Sequence, residues 1–161
     1  MTKAKQTAYI GVLAALALIL SYLESLIPVF VATPGVKLGL ANLVTLAALY
    51  RLSVPAAICV SVTRVILSTL LFGNPVGLMY SLAGACLSLI VMIILKWTKV
   101  FGITGVSVAG AVSHNVGQLA VAAVLLDNKV LFAYLPVLVF FGLAAGVLIG
   151  LLAAWLISKI R

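Results

Sequence analysis

The sequence predicts an all-α, polytopic membrane protein, and three observations support this fold class. Hydrophobic residues make up 66% of the 161 residues, charged residues make up only 7%, and the mean hydropathy is +1.40. A soluble globular domain carries roughly 25% charged residues, so a water-facing surface cannot be built from this chain. The few charges instead separate apolar runs, most of them near the roughly 20 residues that cross a bilayer as a helix. We expect one integral membrane domain over residues 1–161.

Six spans follow from where the apolar runs stop. Lys3 and Lys5 precede the first run, whose length argues against a cleavable signal peptide. Pro28 and the Thr33-Pro34-Gly35 turn predict a loop over 28–37. Later runs end at cations or at turn residues. The expected spans are 7–27, 38–50, 55–72, the run after the Gly73–Gly77 turn to 95, 103–126 and 131–157.

The basic residues fall mainly on one side of these six spans. One side receives Lys3, Lys5, Arg51, Lys96, Lys99, Lys159 and Arg161, and the other receives only Lys37 and Lys129. Cytoplasmic loops carry the excess of Lys and Arg, so both termini should be cytoplasmic. The net charge of +8 is therefore a topology signal. It indicates a lipid bilayer and not a nucleic acid as the partner.

Small residues recur at helical spacing in the first and last spans. Gly142, Gly146 and Gly150 form a GxxxGxxxG ladder, and Gly11 lies near Ala14 and Ala17. Such surfaces let two helix backbones approach closely. We expect them to pack within the bundle, although contact with a neighbouring subunit is the alternative.

The fifth span carries the polar stretch around which the chain is organised. His114 is the only histidine of the sequence. Asn115 follows it directly, and Gln118 lies four residues after His114. On a helix His114 and Gln118 share a face, and Asn115 lies about 100° away. Polar side chains at this depth need partners. They either join helices to one another, as Asn, Gln and His do in membranes, or bind a ligand.

Arg64 is the second unusual residue, because an arginine near the centre of a span is unfavourable by several kcal/mol unless it is paired or hydrated. Glu24, near the outward end of the first span, is one candidate partner. Lys37 approaches the same end, so one carboxylate cannot neutralise both cations. An anionic ligand group would resolve this excess, as would water and backbone carbonyls. With Asn42 and Ser81, these residues predict a cavity near the midplane that opens outward.

The order of these residues resembles the Gx transporter family, whose members are commonly labelled heptaprenyl diphosphate synthase component I. The resemblance runs from Tyr22-Leu-Glu24-Ser-Leu-Ile-Pro28 through Pro34-Gly-Val-Lys37-Leu-Gly-Leu-Ala-Asn42, Arg64 and Ser81-Leu-Ala-Gly84 to Gly110-Ala-Val-Ser-His114-Asn115-Val-Gly-Gln118. The six-helix plan is also similar to the substrate-binding S components of energy-coupling factor (ECF) vitamin transporters. Some relatives are implicated as the membrane component of flavin-based extracellular electron transfer in Gram-positive bacteria.

The resemblance implies two functions. The first is an S-component-type subunit of the bacterial cytoplasmic membrane that captures a small molecule, either partly anionic or quinone- or isoprenoid-like. Its ligand-binding residues would be Glu24, Lys37, Asn42, Arg64, Ser81, His114, Asn115 and Gln118, with the 28–37 loop as a lid. The partner would be an ECF-type membrane and ATPase module. The alternative passes electrons from quinol to an extracytoplasmic redox protein, with quinone or flavin as the cofactor.

Several activities have little support in the sequence. Prenyl diphosphate synthesis uses Mg²⁺ held by clustered carboxylates, whereas the two acids here, Glu24 and Asp127, are 103 positions apart. An ATPase would need a GxxxxGK[ST] loop, which the chain lacks. Cys59 and Cys86 are expected to be buried small hydrophobic residues, and a metal site within one chain is not expected. We expect no catalytic residues, and the chain is not a prenyl diphosphate synthase by itself.

Overall fold

The computed structural model describes residues 2–26 and 39–159, and every regular element within these ranges is helical. The helices are α1 (Lys3–Ser25), α2 (Leu40–Arg51), α3 (Val54–Phe72), α4 (Pro75–Thr98), α5 (Ile103–Leu125), a 3-10 helix (Lys129–Tyr134) and α6 (Leu135–Lys159). Five of the segments are long and apolar enough to cross a membrane, and α2 is a shorter apolar helix. The all-α membrane fold is therefore confirmed, whereas six crossings with cytoplasmic termini remain a prediction.

The turn expected at Gly73–Gly77 is shorter than predicted. Asn74 caps α4, because its side-chain Oδ1 accepts a hydrogen bond from the Gly77 backbone N–H at 2.6 Å. Pro75 occupies the first turn, where its missing N–H leaves no hydrogen bond unmade. Gly77 therefore lies within α4, and only Gly73 and Asn74 separate it from α3.

The sixth expected span, 131–157, lies within a candidate membrane span over Lys129–Lys159, but this span does not begin as an α-helix. Residues 129–134 form a 3-10 helix, and the α-helix begins at Leu135. Pro136 explains the break, because it has no N–H to donate to a carbonyl four residues earlier and is tolerated only in the first turn of an α-helix, where it lies here. The chain therefore changes its helical geometry at the start of the last span.

Helix α2 lies at the centre of the bundle. It packs against α1, α3 and α6 and touches α5, while α3, α4, α5 and α6 pack in sequence order. Seven of its twelve residues are buried, so it is surrounded on all sides. At about 1.5 Å per residue, α2 covers only about 18 Å of a hydrocarbon core that is about 30 Å thick. Its N-terminal end lies inside the bundle, because Ala41 is buried whereas Arg51 at the other end is exposed.

The glycine ladder packs α6 closely against α5, which confirms the expected use of these residues. A methyl group on Gly146 would lie 2.6 Å from Val108 Cα, and one on Gly150 would lie 2.7 Å from Thr104 Cα. Ala14 and Ala17 of α1 are also buried in the bundle. Gly11 differs, because a methyl group there would meet no atom within 4 Å.

The described cations are concentrated at one end of the bundle, where two of them bind helix C-termini. Lys96 Nζ donates to the carbonyl oxygen of Leu49 at 2.5 Å, and Arg51 donates to that of Ile157. Cations at these positions complement the negative end of the helix dipole.

Cys59 and Cys86 are exposed, so the expectation that they would be buried was wrong. Both lie on the outer surface of the bundle. Because a membrane-embedded bundle meets lipid there, a small apolar side chain needs no protein core to be accommodated at either position.

Candidate functional site

A small chamber lies where the six helices converge. Its walls include Glu24 of α1, Asn42 and Thr45 of α2, Ser61 and Arg64 of α3, Ser81 and Ser88 of α4, Ser107, His114 and Asn115 of α5, and Gly142 and Gly146 of α6. Its volume is about 60 Å³, and a water molecule needs roughly 10–15 Å³ of such space. The chamber therefore has room for a few waters or for a small head group.

The chamber collects six of the eight ligand-binding residues that the sequence indicated, as the walls above include Glu24, Asn42, Arg64, Ser81, His114 and Asn115. Gln118 is buried beside it and lines a neighbouring groove. Lys37 and the predicted lid over 28–37 lie outside the described residues. The residues are thus brought together, while their binding role is still a prediction.

Arg64 is incompletely satisfied within the described part of the protein. Its Nη1 donates to the hydroxyl of Ser21 at a long 3.4 Å, and its buried Nε has no hydrogen-bond partner. Glu24 is near enough to attract the guanidinium of Arg64. Its carboxylate, however, accepts a hydrogen bond from the backbone N–H of Gly39. The simple Arg64–Glu24 ion pair therefore does not account for the donors of this arginine.

Glu24 instead fixes the start of α2. Its Oε1 accepts a hydrogen bond from the Gly39 backbone N–H at 2.7 Å. Gly39 has a φ of 75°, a left-handed conformation that glycine adopts without strain, and no side chain caps the helix there. Gly39, Ala41 and Asn42 line the chamber. The Glu24 carboxylate therefore already places one negative charge at the positive end of the α2 dipole, beside this chamber.

Asn115 has a packing role that the sequence had left open. Its side-chain amide donates to the carbonyl oxygen of Leu138 at 2.8 Å and so joins α5 to α6. Asn42 makes only a weak contact, from Nδ2 to the Met92 sulfur at 4.0 Å. Of the two amides, Asn115 is thus held in place by the bundle, whereas Asn42 is more available to another partner.

His114 and Gln118 lie at a close approach of α4 and α5. A methyl group on Gly84 would lie 2.8 Å from Gln118 Cγ, 2.9 Å from the His114 carbonyl oxygen and 3.0 Å from ring atom Cε1. On the other helix, a methyl group on Gly117 would lie 2.9 Å from the Ala83 carbonyl oxygen. Two glycines therefore bring both polar side chains against α4. The buried Gln118 Oε1 has no hydrogen-bond partner among the described residues.

A second, larger cavity adjoins the chamber between α4, α5, the 3-10 helix and α6. We call it the lateral groove. It has a volume of about 420 Å³ and is lined by Gly77, Tyr80, Ser81, Gln118, Leu119, Ala122, Leu126, Leu131, Tyr134 and Leu138. Ser81 lines both cavities. The groove and the chamber are therefore neighbours that share Ser81 as a wall residue, and most of the groove's wall is apolar.

Sequence reasoning missed Ser21 and the lateral groove. Ser21 precedes Glu24 by three residues and shares its helix face, so this spacing could have indicated it. The groove gave no signal, because its leucines and tyrosines resemble every other apolar residue of the spans.

Comparison with known proteins places the chain in a family. The family model described as heptaprenyl diphosphate synthase component I matches residues 13–156. No curated protein and no solved structure gave a match. The matched region covers α1 from its third turn to the last turns of α6, and so includes the chamber and the lateral groove. The chain therefore belongs to the heptaprenyl diphosphate synthase component I family.

Proposed function

We propose that the protein is a substrate-binding membrane subunit of S-component type, which captures a small, partly anionic molecule in the chamber. Arg64 carries this proposal. A buried guanidinium nitrogen without a partner is unfavourable, and a carboxylate or phosphate oxygen would satisfy it with a charge-assisted hydrogen bond.

The neutral part of the ligand would meet the polar face of α5 and its neighbours. His114 and Ser81 offer groups that can donate and accept hydrogen bonds, as does Asn42 of α2. The small volume of the chamber favours a compact head group such as a carboxylate or a phosphate. Lys37 would add a second cation from the 28–37 loop, which would act as the lid.

Transport needs further subunits under this proposal. The sequence carries no phosphate-binding loop for ATP, so an ECF-type membrane and ATPase module would supply the energy. Prenyl diphosphate synthesis by this chain alone is not part of the proposal, because its two acids cannot form a carboxylate cluster for Mg²⁺.

The test is native mass spectrometry of the purified protein and of two arginine variants. We expect a bound small molecule on the wild type and on Arg51→Ala. This control removes a cation at the C-terminus of α2, the end of that helix away from the chamber. Arg64→Ala should weaken binding by about 30-fold or more, because truncating one side of a buried charged contact removes at least about 2 kcal/mol. Arg64→Lys should lose most of the ligand binding if the guanidinium makes a bidentate contact with the anionic group.

A double variant separates the ligand contact from a purely structural one. If Arg64 serves only as the partner of Glu24, then Arg64→Gln combined with Glu24→Gln removes both charges and should restore ligand binding. Restored binding would refute the proposed clamp. We expect that the double variant still fails to bind ligand, while its thermal stability equals that of the wild type.

A second candidate is the membrane component of flavin-based extracellular electron transfer, acting beside an extracytoplasmic partner. The mainly apolar groove, lined by Gln118 and Ser81 and neighbouring the chamber that holds His114, favours it, because quinone and flavin carbonyls need hydrogen-bond donors in an apolar pocket. His114, Ser81 and Gln118 would hold such a cofactor, which would supply the redox chemistry. A visible absorption band that responds to dithionite would favour this candidate. A colourless protein without quinone would argue against it.

A further inference from the structure

The lateral groove is a second cavity, whose size and apolar wall the chamber alone does not explain. Its volume of about 420 Å³ is seven times the 60 Å³ of the chamber. Ligand pockets in proteins occupy about 300–1,000 Å³, so the groove has the size of a small-molecule site and the chamber does not. Ser81 lines both cavities, so one molecule would occupy both if this side chain rotates aside.

The composition of the groove changes from one end to the other. Leu126 and Tyr134 at its rim are 61% and 52% exposed, and Leu119 and Leu138 form a buried apolar wall. Gln118 contributes the polar end, and its carbonyl oxygen lacks a partner among the described residues although the side chain is only 8% exposed. A buried carbonyl oxygen is stable only where a hydrogen-bond donor reaches it.

We propose that the ligand is amphipathic, with its anionic end at Arg64 in the chamber and an apolar chain in the lateral groove. This inference rests on the proposed function and extends it by naming the substrate class. A hydroxyl or amide group between the two parts would donate to Gln118. The exposed rim would let the chain enter from the bilayer side, while the head group moves past Ser81.

The probe is dodecyl phosphate with a photoreactive diazirine on its chain, added to the protein in phosphatidylcholine nanodiscs. After irradiation, peptide mapping locates the label. We expect labelling at the groove residues Leu126, Leu131 and Tyr134, and we expect unlabelled dodecyl phosphate to compete. Phosphatidylcholine carrying the same diazirine at the same mole fraction is the lipid control. Equal groove labelling by that lipid would mean that the groove holds bilayer chains, and would overturn the inference.

Two tryptophan variants of α5 provide matched controls. Ala122 lines the groove, whereas Ala120, two residues earlier, is exposed on another face of the same helix. Ala122→Trp fills the groove and should reduce its labelling roughly tenfold, while Ala120→Trp should leave it unchanged. Thermal stability of both variants reports whether the bundle still folds. Unchanged labelling in a folded Ala122→Trp variant would refute the groove as the chain site.

Arg64→Ala distinguishes failure of this inference from failure of the proposed function. If both ideas are right, groove labelling by dodecyl phosphate falls in Arg64→Ala and in Ala122→Trp. If it falls only in Arg64→Ala, the anion site stands and the groove assignment is wrong. If it falls only in Ala122→Trp, the groove binds chains without an anion at Arg64, and both the substrate class and the proposed function are wrong.

Discussion

Gly84→Ala tests whether α4 and α5 really meet at the site. The added methyl group would lie within 3.0 Å of three atoms, and one of them, the His114 carbonyl oxygen at 2.9 Å, belongs to the backbone of α5. Gln118 Cγ can move by rotating its side chain, but the carbonyl cannot. The two helices must therefore separate by several tenths of an ångström, and His114 moves with α5.

The magnitude follows from two opposing effects. Overpacking of this kind destabilises a protein by about 1–3 kcal/mol, while replacing a helical glycine by alanine stabilises it by up to about 1 kcal/mol. Gly11→Ala isolates the second effect, because a methyl group on Gly11 meets nothing within 4 Å. The Gly84 variant should therefore be less stable than the Gly11 variant by about 1–3 kcal/mol.

Thermal unfolding in detergent, followed by circular dichroism, measures this difference. At about 2–4 °C per kcal/mol for a chain of this size, Gly84→Ala should melt about 2–12 °C below Gly11→Ala. Ligand or probe binding should also weaken, because His114 and Gln118 are displaced. Equal melting temperatures for the two variants would refute the close packing of α4 on α5.

Two further predictions concern the bundle. Asn115→Leu should lower the free energy of unfolding by about 0.6–1.7 kcal/mol, since it removes the hydrogen bond to the Leu138 carbonyl; a stability equal to wild type would contradict the packing role of Asn115. With cytoplasmic termini, a membrane-impermeant maleimide should label Asn128→Cys on intact cells and not Thr98→Cys, both in a background without native cysteines. The opposite labelling pattern would reverse the predicted topology.

The span pattern could be read from the sequence because each apolar run ends at a visible signal. Arg51, the Asn74-Pro75 pair and the 127–129 turn all lie at or within a few residues of helix ends. The switch to a 3-10 helix before Leu135 was missed, although Pro136 gave a local reason for it. Exposure of Cys59 could not be read, because hydrophobicity alone does not distinguish a lipid-facing residue from one that faces another helix.

The candidate chamber could also be predicted, because polar side chains are rare in such spans and few places can accommodate them. Arg64 and His114 were identified for this reason, and both line the chamber. The partner of Asn115 could not be predicted, since it depends on the register between α5 and α6. The lateral groove was beyond sequence reasoning, because a cavity between apolar helices depends on how far apart they pack.

The convergence of all six helices on the chamber also couples occupancy to the stability of the whole bundle. A molecule that binds only the folded state raises the free energy of unfolding by RT ln(1 + [L]/Kd), which is about 2.7 kcal/mol at a hundred times Kd. Because residues of all six α-helices line the chamber, no α-helix can leave without opening the site. A bound ligand should therefore delay loss of the entire fold, and compounds can be ranked by melting temperature before any transport assay exists.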